Sequence, residues 1–283
     1  MPYELEFGMV RPLLIALPLV AAVPAFAQES PPPETVKTNL ITVGAGVALV
    51  PDYVGSRDSK IVPVPGARVS LDGFSFTLAG NRGWADLVPD NRGTRGWDFQ
   101  LGPLASLDLN RSRKVSDPQV NALGKVHAAI EGGAQAGIGY QGLITSAYDK
   151  LSFTVGYVHD LGSVHKSYVI SPGVTYSTPL SHKAFVSISG GADYAGRGFA
   201  QRYYGVTAAG AAASGLPAYN LGKGWEDWNA GGLVDISLTG DLTGGLQLIA
   251  GGTYTRLLGD FAASPVVRNR NHWIGAVGLA YTF

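Results

Sequence analysis

The chain has no cysteine and only two methionines among its 283 residues. The missing thiols exclude disulfides, thiolate metal sites, a cysteine nucleophile and a lipid anchor on an N-terminal cysteine. An excess of charge is missing too: 21 Lys and Arg balance 21 Asp and Glu. That leaves no basic footprint for a nucleic-acid partner. Beyond residue 27 no apolar run is long enough to cross a membrane as a helix. Catalytic signatures are absent as well, with no His-Glu-x-x-His, no Gly-x-Ser-x-Gly and no phosphate-cradling Gly-x-x-x-x-Gly-Lys. The five histidines, His127, His159, His165, His182 and His272, fall at strand ends or in loops and read as solvated polar groups. The chain therefore reads as non-enzymatic, with no catalytic, cofactor or metal residue to name.

What is abundant is glycine, 39 residues, together with 13 tyrosines. No Gly-X-Y period accompanies the glycine, which excludes collagen, and a 46% hydrophobic content excludes disorder. At the N-terminus Arg11 precedes "LLIALPLVAAV", and Ala25-Phe26-Ala27 follows. This is the pattern of a secretory signal, residues 1–27, cut after Ala27. Glu4 and Glu6 are out of place in such a segment and point to Met9 as the true start. Residues 28–38 then form a proline-rich lead, and 39–283 the folded part.

From residue 40 the sequence alternates. In "LSFTVGY", Leu151, Phe153, Val155 and Tyr157 oppose Ser152, Thr154 and Gly156; in "WDFQLGPLASLDL", Trp97, Phe99, Leu101 and Leu107 oppose Asp98, Gln100, Ser106 and Asp108. Period two means strands with two unlike faces. A soluble sandwich would show Lys and Glu on its second face, whereas here that face is Gly, Ser, Thr, Gln and isolated Asp. Aromatic residues gather at strand ends, among them Trp97, Tyr140, Tyr176, Tyr194, Trp225, Trp228, Tyr254 and Phe283. These features specify an all-β, transmembrane antiparallel barrel with an apolar outer band, aromatic girdles and a polar interior.

About eleven segments alternate, but barrels of this type have even strand counts. Placing Phe283 at the periplasmic end puts 258–270, 196–221 and "NRSRKVSDPQ" outside, and the "TGD" and "STPLSHK" turns inside. Parity then fails only between Phe74 and Lys125, and a reversal near "GNRGW" gives about twelve strands, with ten or fourteen as alternatives. The same parity sets Asp98, Asp108, Asp193, Asp227 and Asp235 in the lumen, with Arg68 as the main basic residue against them. They either line a cation-favouring bore or pair inside a plugged barrel. Arg111, Arg113 and Lys114 form either an outer loop in plain solvent or contacts to lipopolysaccharide phosphates. Arg256 shares the lipid-facing parity and either snorkels to headgroups or turns inward at a bulge.

Several stretches go beyond pattern: "PDYVGS" with Pro51, Tyr53 and Gly55, "YYGV", "SGLPAY", and "YTRLLGDFAASPVV" with Tyr254, Arg256, Leu257, Gly259, Asp260, Ser264 and Pro265. In this order, over roughly residues 40–283, they resemble the MltA-interacting protein family, also called the outer-membrane protein V family. One departure is "VHKSYV", which lacks the glycine expected after His165-Lys166. The resemblance implies a Gram-negative outer-membrane barrel in contact with lipid and lipopolysaccharide. It also implies a scaffold for a murein lytic transglycosylase and a bifunctional penicillin-binding protein, with pore or adhesin behaviour as the alternative. The closing "GLAYTF", with Tyr281 and Phe283, resembles the signal read by the barrel-assembly machinery.

Overall fold

A computed structural model describes residues 39–90 and 94–283; the signal and lead segments expected at 1–27 and 28–38 lie outside the described residues. Twelve antiparallel strands close into a barrel in simple sequence order, with the last strand against the first. They are β1 (Leu40–Pro51), β2 (Ser59–Leu71), β3 (Phe74–Ala79), β4 (Arg82–Asp86), β5 (Gly96–Asp108), β6 (Ala129–Gln141), β7 (Lys150–Asp160), β8 (Tyr168–Ser181), β9 (Ala184–Ala195), β10 (Gly224–Ser237), β11 (Gly245–Leu257) and β12 (Asn271–Thr282). Four short helices sit in the long loops: α1 (Pro118–Ala122), α2 (Arg197–Tyr204), α3 (Ala208–Ser214) and α4 (Gly259–Ala262).

Alternation decides which face each side chain takes. On β5, Trp97, Phe99 and Leu101 are exposed on the outside while Asp98, Gly102 and Leu104 are buried inside. The outward aromatics meet in cross-strand pairs near the two rims. Tyr194–Trp225, Trp228–Tyr254 and Tyr254–Trp273 lie at one end, with ring centroids 5.3, 5.3 and 5.0 Å apart. Trp97–Tyr140, at 5.2 Å, lies at the other. Such rings belong at the two water–lipid interfaces.

Small inward residues let the closing seam form. Gly46 stands opposite Gly278, and a Cβ on Gly46 would come within 2.3 Å of the Val277 carbonyl oxygen. Below it, Thr42 and Thr282 join hydroxyls at 2.8 Å, and Phe283 N donates to Ile41 O at 2.9 Å.

The strand missing from the alternation lies where parity demands. Residues 74–88 fold back on themselves at Gly80–Asn81, so one apparent segment is the hairpin β3–β4. Gly80 has φ +60°, the conformation that the first central residue of a type II′ hairpin turn needs. Asp72 and Gly73, both at positive φ, make the preceding two-residue turn between β2 and β3. With the short turns, the start of β1 and the end of β12 at one rim, that rim is periplasmic and the long loops lie outside.

Candidate functional site: the capped outer mouth and the cavity beneath it

The two largest fully buried side chains, Tyr203 and Tyr204, are not in the wall but in an outer loop, and these loops fold over and into the barrel mouth. Phe199, Ala200, Tyr203 and Tyr204 of α2 pack on inward residues of the strands, Leu104, Val158, Val169 and Leu257. A second cluster, Tyr53, Val115, Val120, Val206, Leu216 and Val266, joins four loops to one another. The apolar spacing in these loops is short and irregular, so the sequence shows no sign of this core.

Polar contacts clamp the same loops. Tyr53 Oη donates to Val266 O at 3.1 Å, and Ser264 Oγ donates to Tyr204 O at 2.6 Å. Tyr204 Oη donates to Glu226 Oε1 at 2.5 Å, and Gly55 N donates to His272 Nε2 at 2.8 Å. Arg268 binds Asp117 at 2.7 Å and Gln119 at 2.7 Å. Burial, seconded by Asp117, pushes the Tyr53 phenol up to about 12, so it stays a donor at any ordinary pH. Burial beside Glu226 likewise holds the Tyr204 phenol well above its usual value.

Several motif residues picked out in the sequence meet here. Tyr53, Gly55 and Ser264 bond within the cap; Leu257 and Phe261 belong to its core; Pro51 ends β1 beneath it. Gly259 and Asp260 start α4, where the Asp260 carbonyl accepts from Tyr219 Oη at 2.7 Å. Pro265 links Ser264 to Val266 in the same loop. Tyr254 and Arg256 are on the lipid side instead, and Arg256 lies opposite Trp228 and Asn271 in an unbroken register. No bulge turns it inward, which leaves the headgroup reading. Tyr281 and Phe283 pack ring on ring at 4.9 Å on the outside of the last strand.

Two expectations need correction. Arg111 is buried, not at the outer surface, and donates to Tyr203 O at 3.3 Å and Gly124 O at 3.2 Å; Arg113 and Lys114 are exposed. His165 and His272 are buried rather than solvated. Arg68 is joined by two further cations on the lumen side. Lys150 Nζ bridges Asp98 at 2.5 Å and Asp90 at 3.2 Å, and Arg82 reaches the lumen from the hairpin. Both partners start strands, where a sequence gives no cue to facing.

Beneath the cap lies a polar cavity of about 330 Å³. Asp108, Asp193 and Asp227 line it, joined by Glu131 and Glu226, which parity had not picked out. Asp193 accepts from Ser171, Asp108 from Asn110 N at 2.7 Å and Asp227 from Asn229 at 3.3 Å. Asp235 lies lower in the lumen, with one carboxylate oxygen buried and unpartnered, and Arg68 is an exposed residue on the lumen face of β2. A Ser106–Glu131–His165 chain, with contacts of 2.5 and 3.1 Å, looks superficially catalytic. The carboxylate stands between hydroxyl and imidazole, so the imidazole is not placed to take the serine proton. His165 packs instead on Phe199 and Tyr203 and secures α2. Among the described residues no cluster of three or more His, Cys, Asp or Glu could hold a metal ion.

The family described as MltA-interacting protein MipA matches residues 43–283. No curated protein matches the chain. Among solved structures, the toluene transporter TodX of Pseudomonas putida is similar at 10% identity over 87% of this chain and 89% of that one, with a TM-score of 0.36. OmpT of Vibrio cholerae is similar at 8% identity, 87% and 97% coverage and 0.36. The translocator domain of the autotransporter NalP from Neisseria meningitidis is similar at 12%, 87% and 88%, and 0.35.

Proposed function

The chain belongs to the MltA-interacting protein family, and from that premise we propose that it is a non-enzymatic outer-membrane scaffold holding a murein lytic transglycosylase, with a penicillin-binding protein, at the periplasmic rim. The observation that carries this reading is the turn 142–149. It is held rigidly while its apolar side chains are displayed. Asp149 is fully buried and accepts from the amides of Leu143, Ile144 and Thr145 at 2.7, 2.8 and 2.6 Å and from Tyr176 Oη at 2.8 Å. Burial alone would raise the pKa of this carboxyl, but the hydrogen bonds outweigh it and hold the carboxyl below its usual range. Leu143, Ile144 and Tyr148 nevertheless face outward, Ile144 at 71% exposure. A preorganised apolar knob is a low-entropy docking element. The closed outer mouth supports scaffolding over an open pore, because a solute crossing along the axis would have to displace α2.

The test replaces Leu143, Ile144 and Tyr148 by Ser together. Capture of a murein lytic transglycosylase from the periplasm should be lost, while boiled and unboiled protein still migrate differently. Undiminished capture by a folded triple variant contradicts the proposal, and conductance from the pure, capped protein favours a pore.

A further inference from the structure

The cavity under the cap is closed outward along the barrel axis but not on its side. Ala79, the last residue of β3, stands opposite Gly66 in the middle of β2, and the final bond across this edge is Gly80 N to Pro65 O at 2.9 Å. Residues 59–64 pair with β1 on one edge and, among the described residues, have no strand on the other. On the far side the hairpin stays fastened to β5, through Leu107 N to Asn81 O at 2.9 Å and Asn81 Nδ2 to Leu107 O at 2.8 Å. Above, loop contacts bridge the two sides, Val54 N to Asn110 Oδ1 at 3.1 Å and Ser116 N to Asp52 Oδ2 at 2.7 Å. Beyond the hairpin no strand stands between β2 and the end of β5 among the described residues. The wall therefore has a framed window in its outer half.

The sequence of its open edge fits an opening. Pro65 O points toward the hairpin, so the backbone groups of positions 61, 63 and 65 share that direction. Positions 63 and 65 are prolines and carry no N–H, which removes donors where no acceptor strand exists. An unpaired N–H facing lipid costs several kcal/mol, and a sheet edge in the hydrocarbon region is tolerated where it borders a water-filled cavity. The window borders the capped cavity. Asn81, Arg82, Asp108, Asn110, Pro51 and Val54 surround it and also line the capped cavity.

The two sides of the window differ in chemistry. Toward the bilayer stand Ile61, 72% exposed, with Leu107 and Leu109. Toward the cavity, Asp108 and Asp227 hydrogen-bond to neutral donors, and Arg82 is the cation among five carboxylates of the lining. We propose that the window is a lateral passage between the capped cavity and the outer leaflet for a small amphiphile with a protonated amine head. The head lies among the carboxylates and the chain runs past Ile61 and Leu107 into lipid. The route is separate from the scaffold role, since it uses the outer half of the wall and leaves the turn 142–149 untouched.

The test uses the full chain in lipid nanodiscs with dodecylamine carrying a diazirine at the chain end, and the matching dodecanol. After photolysis, amine adducts should concentrate on residues 59–65 and 107–110 and be competed by unlabelled dodecylamine. The alcohol should be captured about tenfold less, because a charged hydrogen bond is lost. Asp108→Asn with Asp227→Asn should bring the amine down to the alcohol's level in protein that still shows heat-modifiable migration. Should that pair fail to fold, Ile61→Trp, on the exposed rim, should narrow the window and lower capture severalfold. Adducts spread evenly over the outward face, or capture indifferent to Ile61→Trp, would overturn the passage.

Discussion

Tyr204 is the residue on which closure of the outer mouth depends most, and its ring and its hydroxyl can be removed separately. Tyr204→Phe keeps the ring against Phe261, centroids 5.1 Å apart, and deletes the hydrogen bond to Glu226. Leaving this buried carboxyl oxygen without its donor costs about 1–3 kcal/mol, a factor of about 5 to 150 in the balance between closed and open cap. Tyr204→Ala also removes a fully buried ring, for a total of about 3–5 kcal/mol. Hydrogen exchange on folded protein reads this directly. Amides of 197–204 and 259–264 should lose protection by those factors, while amides of β7 to β9 in the wall stay protected. Glu226→Gln and Tyr204→Phe act on the same contact, so their effects should not add. Equal loss of protection across wall and cap, or strict additivity, would refute the cap as a separately anchored unit.

Other consequences follow from single groups. Asp149→Asn should weaken the turn 142–149 by about 1.5–3 kcal/mol, seen as faster proteolysis there with the barrel intact. Because the Asp149 carboxyl is held low, its contribution is complete above the usual value near 3.8 and fades as pH falls below that, so acid should loosen the same turn in the parent protein but not further in the variant. Tyr53 gives the opposite sign: its contribution is complete below pH 10 and is lost as pH rises toward about 12, so a tyrosinate absorbance step near 12 should vanish in Tyr53→Phe. In this cysteine-free chain, Asp235→Cys should react with a small water-soluble thiol reagent from the lumen, and Ile236→Cys should be shielded by lipid; the reverse pattern would contradict the face assignment.

The wall was legible in the sequence because it obeys one local rule. Alternation gave each strand's faces, "SLDGF" marked its turn, and even-strand parity located a reversal that "GNRGW" then supplied at Gly80–Asn81. The cap was not legible, because its contacts join distant segments: Tyr53 meets Val266, 213 positions away, and Arg268 meets Asp117, 151 away. Arg111 shows why charge alone misleads. A basic loop residue is ordinarily solvated, yet here the guanidinium is buried and donates to two carbonyls. The motif residues could be recognised by resemblance but given no task, since a hydroxyl such as that of Ser264 acquires one only when the Tyr204 carbonyl is folded against it. Lys150 was missed for a related reason, since pairing with Asp98 requires β5, β6 and β7 to be adjacent.

The scaffold reading is tested most directly by photo-cross-linking in intact cells from two positions of the same chain, a photoreactive residue at Ile144 on the periplasmic turn and one at Arg113 on the outer loop. The account predicts that Ile144 captures a murein lytic transglycosylase and Arg113 does not. Capture from Arg113 alone, or from neither position while both proteins are folded and present at normal levels, would contradict it.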